Sequence, residues 1–226
     1  MTTALSLPQA LLLLTLKDET GKPKAGFYKP AIAGAAISEL LLQDMVTLID
    51  EKKPKLNVRP EATSDSLLLT MCIDRMRDSK KPRDMAHWVM KLGQHKDLVP
   101  TLGNELCGLG ALSKETSKVF GLFDRTVWPQ ASPKLEMNLK IQLEDAMFGT
   151  APVDERTCAI IALAESADVL RHNFDRQKLK ANKDRIKAIT AGDLYAAGAT
   201  AKAIKAAQAA IIAATSAAVA ASAASS

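Results

Sequence analysis

Leucine and alanine recur along this chain at the three- and four-residue spacing that lays one face of a helix against a core. Pro8 suits a first helical turn, where its missing N–H costs nothing, and the apolar run to Leu16 extends that helix. Lys17 to Lys24 is polar, contains Gly21 and Pro23, and predicts a turn. Pro30 opens a second helix to about Leu42, with Ile32, Ala35, Ala36, Ile37, Leu40 and Leu41 on one face. Met45 to Ile49 predicts a short strand, and Glu51 to Pro60 a basic, proline-punctuated connection.

Ser64 or Asp65 is positioned to cap a helix striped by Leu68, Met71, Cys72 and Met76. A shorter helix after Pro82 aligns Met85, Trp88, Val89 and Leu92, and Leu98 to Leu109 predicts another, ended by Gly110. The period then changes. Val119 to Phe123 and Thr126 to Trp128 flank Asp124-Arg125, which predicts a two-stranded hairpin turning at that pair. Pro129 and Pro133 close it, and Leu135, Leu139, Leu143, Ala146 and Met147 mark the next helix. Asp154 to Phe174 is the clearest amphipathic helix, with Ile160, Leu163, Ala164, Ala167, Leu170 and Phe174 in register. A basic stretch from Arg176 to Lys187 follows, and the chain is alanine-rich from Tyr195 to Ser226. This predicts one helical domain over residues 1–195 and an alanine-rich helix or tail over 196–226.

Composition supports a mainly α fold. Of 226 residues, 47% are hydrophobic but only 4% aromatic, an interior of the leucine and alanine kind that helices favour. Thirty basic residues against 25 acidic give a formal charge of +5, enough to attract phosphates on nucleic acid or lipid without choosing between them. Cys72, Cys107 and Cys158 are far apart, which argues against a disulfide framework or a zinc site and for a reducing, intracellular setting. Leu11 to Leu14 has no basic residue before it and Lys17-Asp18-Glu19 just after, so it reads as a buried helix, too short to span a bilayer.

Several segments, in order, resemble the Golgi phosphoprotein family, whose members are Golgi adaptors in eukaryotes with relatives in bacteria. Leu11-Leu-Leu-Leu-Thr-Leu-Lys-Asp-Glu-Thr-Gly21 resembles its first helix and turn, and Gly34-Ala-Ala-Ile-Ser-Glu-Leu-Leu-Leu42 its second helix. Leu122-Phe123-Asp124 with Trp128-Pro129 resembles its hairpin. The best match is Asp154 to Leu170, ending in Ala-Asp-Val-Leu, with Asn173-Phe174 just after. The resemblance runs from about Leu5 to Ile189 and implies a helical core, surrounding amphipathic helices and one protruding β-hairpin. It also implies a peripheral membrane adaptor that binds phosphatidylinositol 4-phosphate at a basic pocket and the cytoplasmic tails of Golgi glycosyltransferases. The implied site is cytoplasmic, on the Golgi cytosolic face for a eukaryotic source.

The family's lipid pocket uses a tryptophan before the second helix, an arginine within it, and two arginines three residues apart later on. Here Phe27 or Tyr28 stands near the tryptophan position, the helix arginine falls on Ala33, and the later pair falls near Lys96 and Val99. Lysine for arginine loses the bidentate phosphate geometry. A rebuilt pocket would draw on Lys22, Lys24, Lys29, Lys91 and Lys96 beside Phe27 and Tyr28. The resemblance also makes Phe120, Phe123 and Arg125 a membrane-contacting or self-association hairpin, with possible homo-oligomers, whereas for Trp128 core packing is the simpler reading. The basic run at Arg176 to Lys187 reads first as a solvated helix face.

Enzyme chemistry finds no foothold in the pattern. His87, His95 and His172 form no His-x-x-x-His pair, and no nucleophile elbow or phosphate-binding glycine loop is present. Glu39 reads as a satisfied structural carboxylate, and Glu165 with Asp168 as a polar face or cap rather than a cation site. No metal or cofactor is expected. The alternatives are a lipid-independent scaffold, suggested by Ala33 and Val99, and a winged-helix-like nucleic-acid binder. The latter is disfavoured because Leu98 to Leu109 carries no Arg or Lys.

Overall fold

Three helices make the centre, and their sequences explain why. In α1 (Leu7–Thr15) every residue but Gln9 is buried, as a helix apolar all round must be. Along α2 (Tyr28–Leu42) the run Ala31 to Leu40 is buried, and its alanines and Gly34 let neighbouring helices approach closely. α7 (Glu155–Ser166) packs on both, with Cys158 to Ala164 interior. Asp154 caps it, its carboxylate accepting the Thr157 N–H at 3.0 Å.

Around this centre lie α3 (Leu67–Arg77), α4 (Met85–Gly93), α5 (Leu98–Gly108) and α6 (Lys134–Phe148), each with a buried apolar face. Then come α8 (Arg176–Ala181), which buries no residue and lies against α6, and α9 (Lys183–Ala191), which buries Ile186 and Ile189. α4 lies close on α2, where a Cβ at Gly93 would sit 3.3 Å from the Pro30 backbone. Two antiparallel pairs complete the fold: β1 (Val46–Ile49) with β2 (Lys55–Val58), and β3 (Glu115–Val119) with β4 (Phe123–Val127). The protein is therefore mainly α. The computed structural model describes residues 5–24, 26, 28–50, 53–119, 123–191 and 205. Phe27, Phe120 and, Lys205 apart, the alanine-rich tail lie outside the described residues, as does the division drawn at residue 195.

Four local expectations need correction. The basic connection Glu51 to Pro60 contains strand β2, whose Leu56 is buried while its flanking residues face solvent. Ser66, not Ser64 or Asp65, caps α3: its Oγ accepts the Leu69 N–H at 3.2 Å and donates to Glu105 at 2.8 Å. In the β3–β4 pair Val119 faces Phe123 and Ser117 faces Arg125, so Asp124 and Arg125 lie inside β4 rather than at the reversal. This hairpin is largely exposed, and without a buried face its strands carry no apolar alternation to read.

The fourth is the helix expected from Asp154 to Phe174, which stops at Ser166. Asp168 adopts φ of 59°, the Val169 N–H reaches back to the Ala164 carbonyl at 2.8 Å, and the Asp168 N–H reaches Glu165 at 2.9 Å. This is a Schellman stop, and aspartate tolerates the left-handed position better than most residues. A 3-10 turn at Leu170–His172 follows, and Leu170 and Phe174 stay buried, which is why the apolar register ran on past the break.

Candidate functional site

The α1–α2 turn is built tightly. The Gly21 N–H bonds to the Lys17 carbonyl at 2.8 Å, and the Lys24 N–H to Thr15 at 2.7 Å. Gly21 has φ of +59°, and a Cβ there would lie 2.2 Å from the Trp128 carbonyl carbon. Glycine is thus required twice over, by conformation and by contact. The Gln130 N–H bonds to the Asp18 carbonyl at 2.8 Å and fixes the turn to the segment after β4.

This turn, the first turn of α2, the start of α5 and strand β4 enclose a cavity of about 340 Å3. Leu16, Val99 and Trp128 are its buried apolar lining, with Tyr28 buried beside them. Lys22, Lys29, Lys96 and Arg125 also line it, all with exposed side chains, against the single carboxylate of Asp124. Arg125 and Tyr28 share the wall of this cavity. Burial pushes the Tyr28 phenol above its ordinary range, and the positive charge of Arg125 nearby opposes that. An apolar pocket rimmed by four cations is chemically suited to an anion that carries an adjoining nonpolar group.

Two other hollows differ in character. One of about 430 Å3 is lined by Ser6, Gln9, Gln43 and the Thr63 to Ser66 loop, with no cation. The other, about 180 Å3, balances Glu165 and Asp168 against Arg171 and Lys183. The basic character belongs to the first cavity.

A family model for Golgi phosphoprotein 3 (GPP34) matches the chain over residues 7–207. The chain belongs to the Golgi phosphoprotein 3 family. The match reaches beyond Ile189, where the resemblance read from the sequence stopped. Among the described residues of this family member, no helix is long and apolar enough to cross a membrane. Nor does any group of three or more His, Cys, Asp or Glu side chains among them form a place for a metal ion.

The sequence-predicted residues separate into those the fold brings together and those it does not. Tyr28, Lys29 and Lys96 converge on the cavity, joined by Lys22. Lys24 turns inward: its Nζ donates to Asn173 Oδ1 at 2.9 Å and lies 3.9 Å from Asp18 and from Glu136. Burial pushes its ammonium below the usual lysine range, which Glu136 opposes. Lys91 stacks its Nζ 5.2 Å over the Trp88 ring and is not a lining residue. Ala33 is wholly buried, one turn past Lys29, whereas Val99 lines the cavity.

In the hairpin, Phe123 is 68% exposed, while Trp128 at its base is buried against Gly103. Arg125, read from the sequence as a hairpin residue, lines the cavity as well. The sequence did not place Arg125, Gly21 or Pro23 among the residues of this cavity. The sequence signal was present in part: Arg125 lies three residues before the tryptophan that anchors the hairpin to the bundle.

Proposed function

We propose that this protein is a peripheral membrane adaptor that docks on a phosphoinositide headgroup, phosphatidylinositol 4-phosphate first, through the cavity between the α1–α2 turn, α5 and β4. Membership of the Golgi phosphoprotein 3 family supports an adaptor role of that general kind. The observation that carries the lipid reading is the convergence of Lys22, Lys29, Lys96 and Arg125 on one cavity with an apolar lining. Charge-assisted hydrogen bonds to phosphate oxygens hold the headgroup, and each further cation near an anionic surface adds about 1 kcal/mol. A second face binds the cytoplasmic tails of membrane proteins, and the work is done at the cytosolic side of a membrane, that of the Golgi in a eukaryotic source. No turnover chemistry is assigned.

Co-sedimentation with neutral vesicles, with and without a few per cent phosphatidylinositol 4-phosphate, tests this against another anionic lipid at matched charge. Selective pelleting weakened by Lys29→Ala and Lys96→Ala is the expected result. Pelleting that follows total negative charge alone reduces the pocket to a generic basic surface. No pelleting favours the second reading, a lipid-independent scaffold. That reading draws on the placement of Ala33 in the core and of uncharged Val99 in the cavity wall.

A further inference from the structure

Helix α4 has cations gathered at both of its ends. Lys96 follows it and lines the cavity with Lys29, and a Cβ at Gly93 would meet the Pro30 backbone. The end of α4 therefore lies at the start of α2, and its beginning lies toward Leu42 and β1. There the Arg83 carbonyl accepts the Leu56 N–H at 2.8 Å, so the α3–α4 connection runs beside β2 as a third extended segment. Lys53 and Lys55 of the hairpin and Lys80, Lys81 and Arg83 of the connection are all exposed.

These cations differ from their neighbours in being uncommitted. Arg59 is taken by Asp44, and Arg77 by the carbonyls of Arg59, Pro60 and Ala62. Among the described residues no carboxylate forms an ion pair with Lys53, Lys55, Lys80, Lys81 or Arg83. Of the carboxylates on these segments, Asp50 accepts the Lys53 N–H at 3.2 Å and Asp84 the His87 N–H at 2.8 Å, and Asp78 is exposed. Ile49, 40% exposed, stands directly across from Lys55, which sets an apolar side chain on the same face as the charge. Between the two ends, α4 offers solvent Met90, 48% exposed, and Lys91.

We propose that this corner of β1, β2 and the α3–α4 connection is a second membrane contact, one for acidic phospholipid headgroups such as phosphatidylserine, and that it meets the same bilayer as the cavity at the other end of α4. The inference rests on the headgroup-docking reading above. Lysines dominate the corner, and dispersed ammonium groups suit diffuse negative charge, whereas a shaped pocket suits one headgroup. Ile49 suits the boundary between headgroups and acyl carbon. Single-stranded nucleic acid would call for stacking rings, and residues 46–58 and 75–84 contain none. α4 separates the two contacts by only about 13 Å of helix, so binding at one makes binding at the other intramolecular.

The test uses the full chain and a corner variant carrying Lys80→Glu and Lys81→Glu. Pelleting is measured on neutral vesicles holding phosphatidylinositol 4-phosphate, phosphatidylserine, or both, and calorimetry measures binding of the soluble inositol 4-phosphate headgroup. Phosphatidylserine in the same vesicle is expected to tighten wild-type binding about tenfold at low salt, and the corner variant to lose that gain. Phosphatidylserine in separate vesicles gives no gain. The corner variant is expected to bind the soluble headgroup as wild type does, while Lys96→Ala weakens headgroup binding and keeps the gain.

No gain in wild type, or a gain that the corner variant keeps in full, overturns the inference while the docking reading stands. Wild type that binds phosphatidylserine through the corner but no headgroup overturns the docking reading instead, and wild type that binds neither overturns both. Tighter binding to a DNA duplex than to phosphatidylserine vesicles, lost in the corner variant, overturns the lipid assignment in favour of nucleic acid.

Discussion

Glu39 and Arg156 close a two-pronged ion pair across 117 residues of sequence: Arg156 Nη2 donates to Oε1 at 2.6 Å and Nη1 to Oε2 at 2.8 Å. The carboxylate is fully buried, and it also accepts the Leu7 N–H at 2.7 Å and the Gln43 amide at 2.6 Å. One side chain thus pins the start of α1 and the start of α7 onto α2. The same arrangement gives Glu39 a structural task, with each carboxylate oxygen accepting from protein donors.

Burial alone would push the Glu39 carboxyl up, but Arg156, the Leu7 amide and Gln43 outweigh it and hold the group below its ordinary 4.5. A folded value below the unfolded one means the contribution is complete above about pH 4.5 and is lost as pH falls through the folded value. Denaturant midpoints between pH 7 and pH 3.5 should drop along the acid limb, and Glu39→Gln should flatten that limb. Arg156→Ala, which strands a buried carboxylate, should cost about 2–3 kcal/mol. This lies at the low end for a broken buried pair, because Arg156 is one-third exposed and screened. An acid limb equally steep in Glu39→Gln would remove Glu39 as its source.

Gly103 faces the indole of Trp128, and a Cβ there would stand 2.4 Å from the ring. Alanine gains about 1 kcal/mol of helix propensity over glycine. Overpacking of this kind costs about 1–3 kcal/mol and forces the ring to shift. Gly103→Ala should therefore lower the thermal midpoint despite its better propensity, and because Trp128 lines the cavity it should weaken headgroup binding as well. An unchanged midpoint would mean that the indole has room to move.

The helices were legible because their buried faces are written in leucine and alanine at helical spacing, as in Leu68, Cys72 and Met76 of α3. What the sequence hid was whatever depended on tertiary contact. Nothing in the spacing of Glu39 and Arg156 joins them, and the Schellman stop at Asp168 sits where apolar register continues. The pocket was half visible: Tyr28, Lys29 and Lys96 lie on segments already tied to phosphate chemistry by resemblance. Lys24 looked equivalent to Lys29, but the turn aims it at Asn173. Arg125 is far from both in sequence, and only the docking of the hairpin base brings it to the same cavity.

The three thiols should separate cleanly by burial. Burial pushes Cys72 up to about 12 and Cys158 up to about 11, and both are fully enclosed, whereas Cys107 is partly exposed. Since the thiolate is the reacting species, a disulfide reagent at pH 8 should label Cys107 first in the native protein. Cys72 and Cys158 should react on the timescale of unfolding. Labelling of Cys72 as fast as Cys107 would show that the α3–α5 interface opens without global unfolding.

Three lysines offered by the sequence as one group should part company under mutation. Lys96 lines the cavity with its side chain exposed, so Lys96→Ala should reduce phosphoinositide pelleting severalfold with little change in thermal midpoint. Lys91 lies over Trp88, so Lys91→Ala should leave pelleting within about twofold of wild type and cost at most about 1 kcal/mol of cation–π contact. Lys24 is the opposite case. Its bond to Asn173 joins the α1–α2 turn to the segment after α7, and Asn173 in turn donates to the Leu14 and Val169 carbonyls at 2.8 and 2.9 Å. Lys24→Ala should lower stability by about 1–2 kcal/mol while the folded fraction still binds, since it removes a partner from a buried network and no charge from the rim. Raising ionic strength should weaken wild-type pelleting and narrow the gap between Lys96→Ala and wild type, because an exposed cation is screened. If Lys24→Ala abolished binding at full stability, the ammonium would have to leave Asn173 for the ligand, and the turn would be a moving part of the site.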